Sequence, residues 1–134
     1  MPNTQAVGVA YSDPEFTTCF ASQELGYAAG AQGTVTQLTD KSTAVTLNKS
    51  AGQITMNAAT LNAQTNVTFT LNNSLISAKD VTILNVAAGA TAGAYNCWIS
   101  SKATGSCTIT LRNITAASNL SEAVVINFAI IHCL

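Results

Sequence analysis

Asn66-Val67-Thr68-Phe69-Thr70-Leu71-Asn72 sets apolar and hydroxyl-bearing side chains in strict alternation, and that period of two decides the fold. Successive side chains of a β-strand point to opposite faces, so Val67, Phe69 and Leu71 share one face while Thr68 and Thr70 share the other. A helix would scatter the same residues around its circumference. Threonine and the β-branched and aromatic residues also suit a pleated, half-buried surface.

The same alternation recurs on both sides of this segment. Toward the C-terminus it runs through Asp80–Val86 (DVTILNV), Ala94–Ser100 (AYNCWIS), Cys107–Asn113 (CTITLRN) and Glu122–Ile131; toward the N-terminus it runs through Gln53–Asn57 (QITMN), Ala44–Asn48 (AVTLN) and Thr34–Thr39 (TVTQLT). Loops such as Asn48–Gly52, Ala87–Gly93 and Ser101–Ser106 separate the runs. The apolar faces predicted to build the core are Val45 with Leu47, Ile54 with Met56, Val67 with Phe69 and Leu71, Val81 with Ile83, and Cys107 with Ile109 and Leu111. Short strands at regular spacing predict an all-β fold, an antiparallel two-sheet sandwich of jelly-roll or immunoglobulin-like type. Ala58–Ala63 (AATLNA) is the one stretch where a helical turn competes.

The last strand departs from the half-buried pattern. Val124, Ile126, Phe128 and Ile130 face one way and Val125, Ala129 and Ile131 the other, so both faces are apolar. A central strand covered on both sides reads like this, and so does a strand at a subunit interface. Left bare at an edge it would invite aggregation.

Residues 1–32 read differently. They hold both prolines, Pro2 and Pro14, the turn-rich string GYAAGAQG, and the aromatic residues Tyr11, Phe16, Phe20 and Tyr27 without either period. Each proline forces an extended or turn conformation on the residue before it. The organisation predicted is an extended N-terminal arm over 1–32 followed by a sandwich domain over 33–134.

With 134 residues the chain is one domain long and can bury roughly 65–70% of its unfolded surface. Hydrophobic residues make up 48% of it and charged residues only 8%, against a usual ~25%. Thr, Ser, Asn and Gln must therefore cover the exterior. A net charge of −1 provides little self-repulsion, which favours association with like copies or a larger assembly. Lys41, Lys49, Lys79, Lys102 and Arg112 stand singly, with no stripe for a phosphate backbone, so no nucleic-acid partner is expected. The longest apolar run, Ala123–Ile131, is far short of the ~20 residues of a membrane-spanning helix and is broken by Asn127, so no membrane partner is expected either. The first residues lack a basic start, an apolar stretch and a cleavage site, so no signal peptide is expected.

Six acids and one histidine are a thin supply for acid–base chemistry, which needs paired titratable groups. Asp40 and Asp80 sit beside lysines at strand ends and read as solvated turn residues, and Glu122 opens the last strand. His132 and Cys133 are adjacent, but neighbours along a strand point to opposite faces, so they do not converge on a metal. Cys97 and Cys107 flank a hairpin loop and read as cross-strand neighbours, bridged or as buried thiols. Trp98 reads as sandwich core. No catalytic residue, metal site or cofactor is expected, and the chain does not read as an enzyme.

The strings GYAAGAQGTVTQLTDKSTAVTLNKSAGQITMNAATL (Gly26–Leu61), VTFTLNNSLISAKDVTILNV (Val67–Val86), CTITLRN (Cys107–Asn113) and LSEAVVINFAII (Leu120–Ile131) together resemble a domain of tailed-bacteriophage virion proteins, in the format of the small capsid cement or decoration proteins. The resemblance implies synthesis in the cytoplasm of a bacterial host and a place on the exterior of the virion capsid. It implies homotrimers that bridge neighbouring subunits of the major capsid protein against internal DNA pressure. On this reading Tyr11, Pro14, Phe16 and Phe20 anchor the arm on the shell. Phe128 and Ile130, or Val125 and Ile131, form the subunit interface. Two alternatives stand beside it: a receptor-binding or adhesive tip of a phage tail fibre, and a glycan-binding module on a jelly roll. For a sugar hydrolase, two facing carboxylates about 5–9.5 Å apart would be needed, and no such pair can be nominated.

Overall fold

The computed structural model describes residues 16–133. Tyr11 and Pro14 lie outside the described residues. After a 3₁₀ turn at Ala29–Ala31, the chain forms β1 (Gln32–Thr36), β2 (Val45–Thr46), β3 (Ala51–Thr55), β4 (Asn66–Asn72), β5 (Val81–Ala88), β6 (Tyr95–Ala103), β7 (Ser106–Asn113) and β8 (Val125–Ile131). Each overlaps one of the alternating runs, but β1 and β3 begin two residues earlier than expected, β5 runs on through Ala88, and β6 and β7 extend into the expected loop Ser101–Ser106. Ala58–Ala63 holds no helix: Leu61 bridges Leu120 through N–H to carbonyl bonds of 2.8 and 3.1 Å, and Ala63 enters a turn closed by the Thr65 amide on the Asn62 carbonyl.

Two four-stranded sheets, ordered β1-β3-β8-β5 and β2-β4-β7-β6, pack face to face. Only the β6–β7 hairpin keeps consecutive strands in one sheet. Its turn passes through Gly105 at φ +83°, a backbone conformation that favours glycine. Every other connection crosses to the opposite sheet, and two crossings return the chain to its first sheet pointing the same way. Hence β1 pairs with β3, and β2 with β4, in parallel. The sheets are mixed and not wholly antiparallel, because alternation of side chains reports which face is buried and carries no information on strand direction.

Ile54, Phe69, Leu71, Ile109, Leu111, Val124, Ile126, Phe128 and Ile130 fill the space between the sheets, and Met56, Leu61 and Ile76 close its ends. Phe128 lies opposite Gly52, which in turn lies opposite Gly33. A Cβ on Gly52 would come within 2.5 Å of the Gly33 carbonyl oxygen and 2.9 Å of Leu47. Here the two glycines, set inside strands and not in a turn, let Leu47 of the facing sheet approach the backbone.

Three side-chain assignments differ from the sequence expectation. Val81 and Ile83 do not belong to the core: Leu84 and Val86 pack inward from β5, in register with Phe128 and Ile126. Trp98 lies on the outer face of β6, opposite Thr110, while Ile99 and Cys97 turn toward the core. Cys97 pairs with Leu111 and Cys107 with Lys102, so the two cysteines are offset along the hairpin, and both are free thiols. Burial pushes the Cys107 thiol up to about 11, partly offset by Lys102.

Two buried amide side chains, Asn113 and Gln37, are matched to partners in the connections they fasten. Asn113 donates to the carbonyls of Leu61 (2.9 Å) and Ser118 (2.8 Å) and accepts from the Thr115 amide (3.0 Å), which fastens the β7–β8 connection. Gln37 donates to the carbonyls of Lys41 (3.0 Å) and Thr43 (2.9 Å) and accepts from the Asn57 amide (3.1 Å), fixing the crossover after β1. Such pairing offsets the cost of taking amide groups out of water.

Candidate interaction surface

Residues 16–28 precede the sandwich without regular structure, and every one of them is exposed. Phe16, Phe20 and Leu25 are 68, 92 and 87% exposed. Each would gain roughly 1.5–3 kcal/mol on full burial, and within the described residues none is covered. Among the described residues its side-chain hydrogen bonds to the sandwich lie at the root. The Tyr27 hydroxyl donates to the Ile130 carbonyl, Gln32 Nε2 donates to the Tyr27 carbonyl (2.9 Å), and Lys49 Nζ donates to the Gly30 carbonyl (2.9 Å).

That root lies against β8. Phe128 and Ile130, one of the two pairs expected at a subunit interface, are buried between the sheets and cannot meet a partner as folded. Their neighbours face outward: Ile131 is 51% exposed, and Val125 is half-buried. Strand register sets Ile131 opposite Val81 and Ala129 opposite Ile83, and Val81 and Ile83 are 50 and 52% exposed. The residues removed from the core by the β5 register thus build an outward apolar patch with the end of β8. Beside it the face turns polar, in a row of Thr34, Gln53, Asn127 and Asn85 across four strands. Gln53 and Asn127 border an open hollow of about 470 Å³, and the Asn127 Oδ1 atom is covered without a hydrogen-bond partner.

The rung beyond Val81 and Ile131 is polar. Asp80 is buried, and its carboxylate accepts from the Ser77 amide (2.8 Å), the Ser77 hydroxyl (2.7 Å), the Cys133 amide (3.2 Å) and His132 Nδ1 (2.9 Å to Oδ2). Hydrogen bonds led by the Ser77 amide hold the carboxyl well below its ordinary value, with burial opposing. Asp80 is therefore no solvated turn residue. The Ser77-x-x-Asp80 spacing hints at the local bonds, but the reach to His132 is a product of tertiary pairing. Cys133 contributes its amide, and its sulfur lies 3.9 Å from the Ile131 carbonyl oxygen. Among the described residues no group of three His, Cys, Asp or Glu side chains converges to hold a metal.

A second polar cluster gathers Lys41, Thr91 and Glu122, with Tyr95 beside them, although the Tyr95 hydroxyl and Glu122 Oε2 are covered without a hydrogen-bond partner. The buried Lys41 ammonium donates to the carbonyls of Asn57 and Glu122, and its pKa is lowered by burial, with the Glu122 charge opposing. Glu122 accepts from the Thr91 hydroxyl (2.5 Å), which lowers its own pKa. Burial first, and then Glu122, raises the Tyr95 hydroxyl. A carboxylate held in its charged form is a hydrogen-bond acceptor and not a proton donor near neutrality, so this cluster ties Lys41, Thr91 and the chain before β8 together.

The outer face of the other sheet carries hydroxyl pairs. Thr68 meets Thr110 (2.7 Å), Ser101 meets Thr108 (2.8 Å), and Ser100 also reaches Thr110. Trp98 lies among them.

Comparison of the chain with protein-family models, with curated proteins and with solved structures returns no match. No helix of the described residues is long and apolar enough to cross a membrane. The molecule is a β-sandwich bearing an arm with exposed apolar side chains and, beside the arm's root, an outward apolar patch.

Proposed function

We propose that this chain is a bacteriophage capsid cement protein, which binds the outside of the head shell as trimers and stabilises contacts between major capsid subunits. One observation carries the reading: Phe16, Phe20 and Leu25 stand in water on an extended segment whose root is fastened to a rigid sandwich. A segment of this kind gains by docking in an extended groove, where apolar anchors and main-chain hydrogen bonds act together. It loses conformational freedom in doing so, and several arms on one assembly recover that cost through avidity. The low charge of the chain favours contacts that are insensitive to salt.

The test is co-sedimentation of the purified chain with shells lacking any cement protein. Saturable binding that persists in high salt and disappears when residues 1–25 are removed is the expected result. Absence of binding by the full chain, or undiminished binding without the arm, rejects the proposal.

Trp98 favours one second reading, a glycan-binding module, because an exposed indole among hydroxyl groups offers an apolar plate for a sugar ring. Binding to host surface polysaccharide that is lost in Trp98→Ala would support it.

A further inference from the structure

The arm and the outward patch are two halves of one unfilled contact. Among the described residues β5 is the edge of its sheet, hydrogen-bonded to β8 on one side and to no strand on the other; β6 of the facing sheet approaches that side and Lys102 reaches the Asp80 carbonyl at its start, but no strand pairs with its backbone groups. Its eight residues, VTILNVAA, include no charge and no proline, and the register shift between Val86 and Ala88 is its one interruption. Natural edge strands are ordinarily blunted by such residues. On the arm, residues 16–23 (FTTCFASQ) are likewise uncharged. In an extended conformation Phe16, Thr18 and Phe20 share one face.

We propose that residues 16–25 of one copy add as a strand to the free edge of β5 in a second copy, laying Phe16 and Phe20 on its Val81, Ile83 and Ile131. Length permits this: the seven residue-to-residue steps from Tyr27 back to Phe20 span up to ~25 Å when extended. Area permits it as well. Two phenylalanines present roughly 300–500 Å², and they cover a similar area on the neighbour. Each copy gives one arm and receives another, so every arm and every edge is satisfied once the exchange closes, either reciprocally in a pair or head-to-tail in a ring. Because the Tyr27 hydroxyl sits on the Ile130 carbonyl, the departing arm starts next to Ile131, and the given and received contacts form one continuous surface.

This rests on the cement reading and reassigns Phe16 and Phe20 from the shell to a neighbouring copy, so that the arm acts on the shell through the multimer it closes; it is tested without shells so that the two can fail separately. Light scattering on the purified chain should give a closed multimer. Ile83→Lys and the double substitution Phe16→Ser/Phe20→Ser should each reduce it to a single chain with an unchanged β circular dichroism spectrum. The arm variant leaves the sandwich untouched, so a folding defect in Ile83→Lys does not protect the proposal. With Cys19→Ser and Cys133→Ser as background, Thr18→Cys and Asn85→Cys should oxidise to a bridge between chains. A monomeric parent chain, a multimer that survives both sets of substitutions, or a bridge formed within one chain overturns the exchange. A monomer that still binds shells overturns the exchange alone, whereas a multimer that ignores shells overturns the cement reading alone.

Discussion

The two outer faces of the sandwich are drawn from the same alternating sequence and end in different states. On the β2-β4-β7-β6 sheet the hydroxyls pair with one another, Thr68 with Thr110 and Ser101 with Thr108. On the β1-β3-β8-β5 sheet the rungs Val81–Ile131 and Ile83–Ala129 place aliphatic groups in water. A hydroxyl pair that is already closed has little to gain from a partner. Half-exposed aliphatic surface retains about 25 cal/mol per Å² of unrealised burial. The difference therefore marks which face is poised for protein contact.

The largest effect separates the inner and outer sides of β8 itself. Phe128→Ala should cost about 3–5 kcal/mol in urea unfolding, the usual price of emptying a buried aromatic site. A loss under ~1 kcal/mol would place Phe128 outside the core and restore it as an interface candidate.

Next comes the Asp80 carboxylate that closes the apolar face. The folded-state pKa of Asp80 lies below its unfolded value of about 3.9. The stability held by its charge is therefore whole above that value and is lost as pH falls toward the folded-state pKa. Melting temperature against pH should drop in the parent chain below about pH 4. Asp80→Asn should start lower near neutrality and lose that part of the acid slope. An unchanged acid slope would mean that His132 and the end of β8 are not held by this carboxylate.

Much of the architecture was legible in the sequence because burial on one face imposes period two, and all eight runs became strands. Strand direction was not, since β1 and β3 read alike whether parallel or antiparallel. The phase of β5 was also ambiguous: Ile83 and Leu84 are adjacent, and only pairing with β8 decides which turns inward. Thr82 shows the cost of the phase adopted, its hydroxyl being covered without a partner. Of the candidate contacts, Phe16 and Phe20 could be picked out as aromatic residues outside any period. The patch could not, because Val81 and Ile131 are 50 residues apart in the chain and meet only in the folded register.

The hydroxyl face yields a smaller effect than either. Thr110 shares its hydroxyl with Thr68 and Ser100, so Thr110→Val should cost about 1 kcal/mol. In a double-mutant cycle, Thr68→Val should add less to Thr110→Val than to the parent chain. Strict additivity would show that the pair contributes nothing and that this face is as open to partners as the other.

The smallest effect is the most telling for the apolar face. In the isolated single chain, Ile83→Thr should change stability by no more than ~0.5 kcal/mol, as for an ordinary surface position, since the side chain is half in water and threonine suits a strand as well. Urea unfolding of the arm-deleted chain at high dilution measures this without any contact between copies. If Ile83→Thr instead cost as much as a core substitution in the full-length monomer but not in the arm-deleted one, the patch would be covered by the chain's own arm. The contrast between the two faces would then belong to the truncated protein alone. Equal and small effects in both monomers leave the patch free for a second copy.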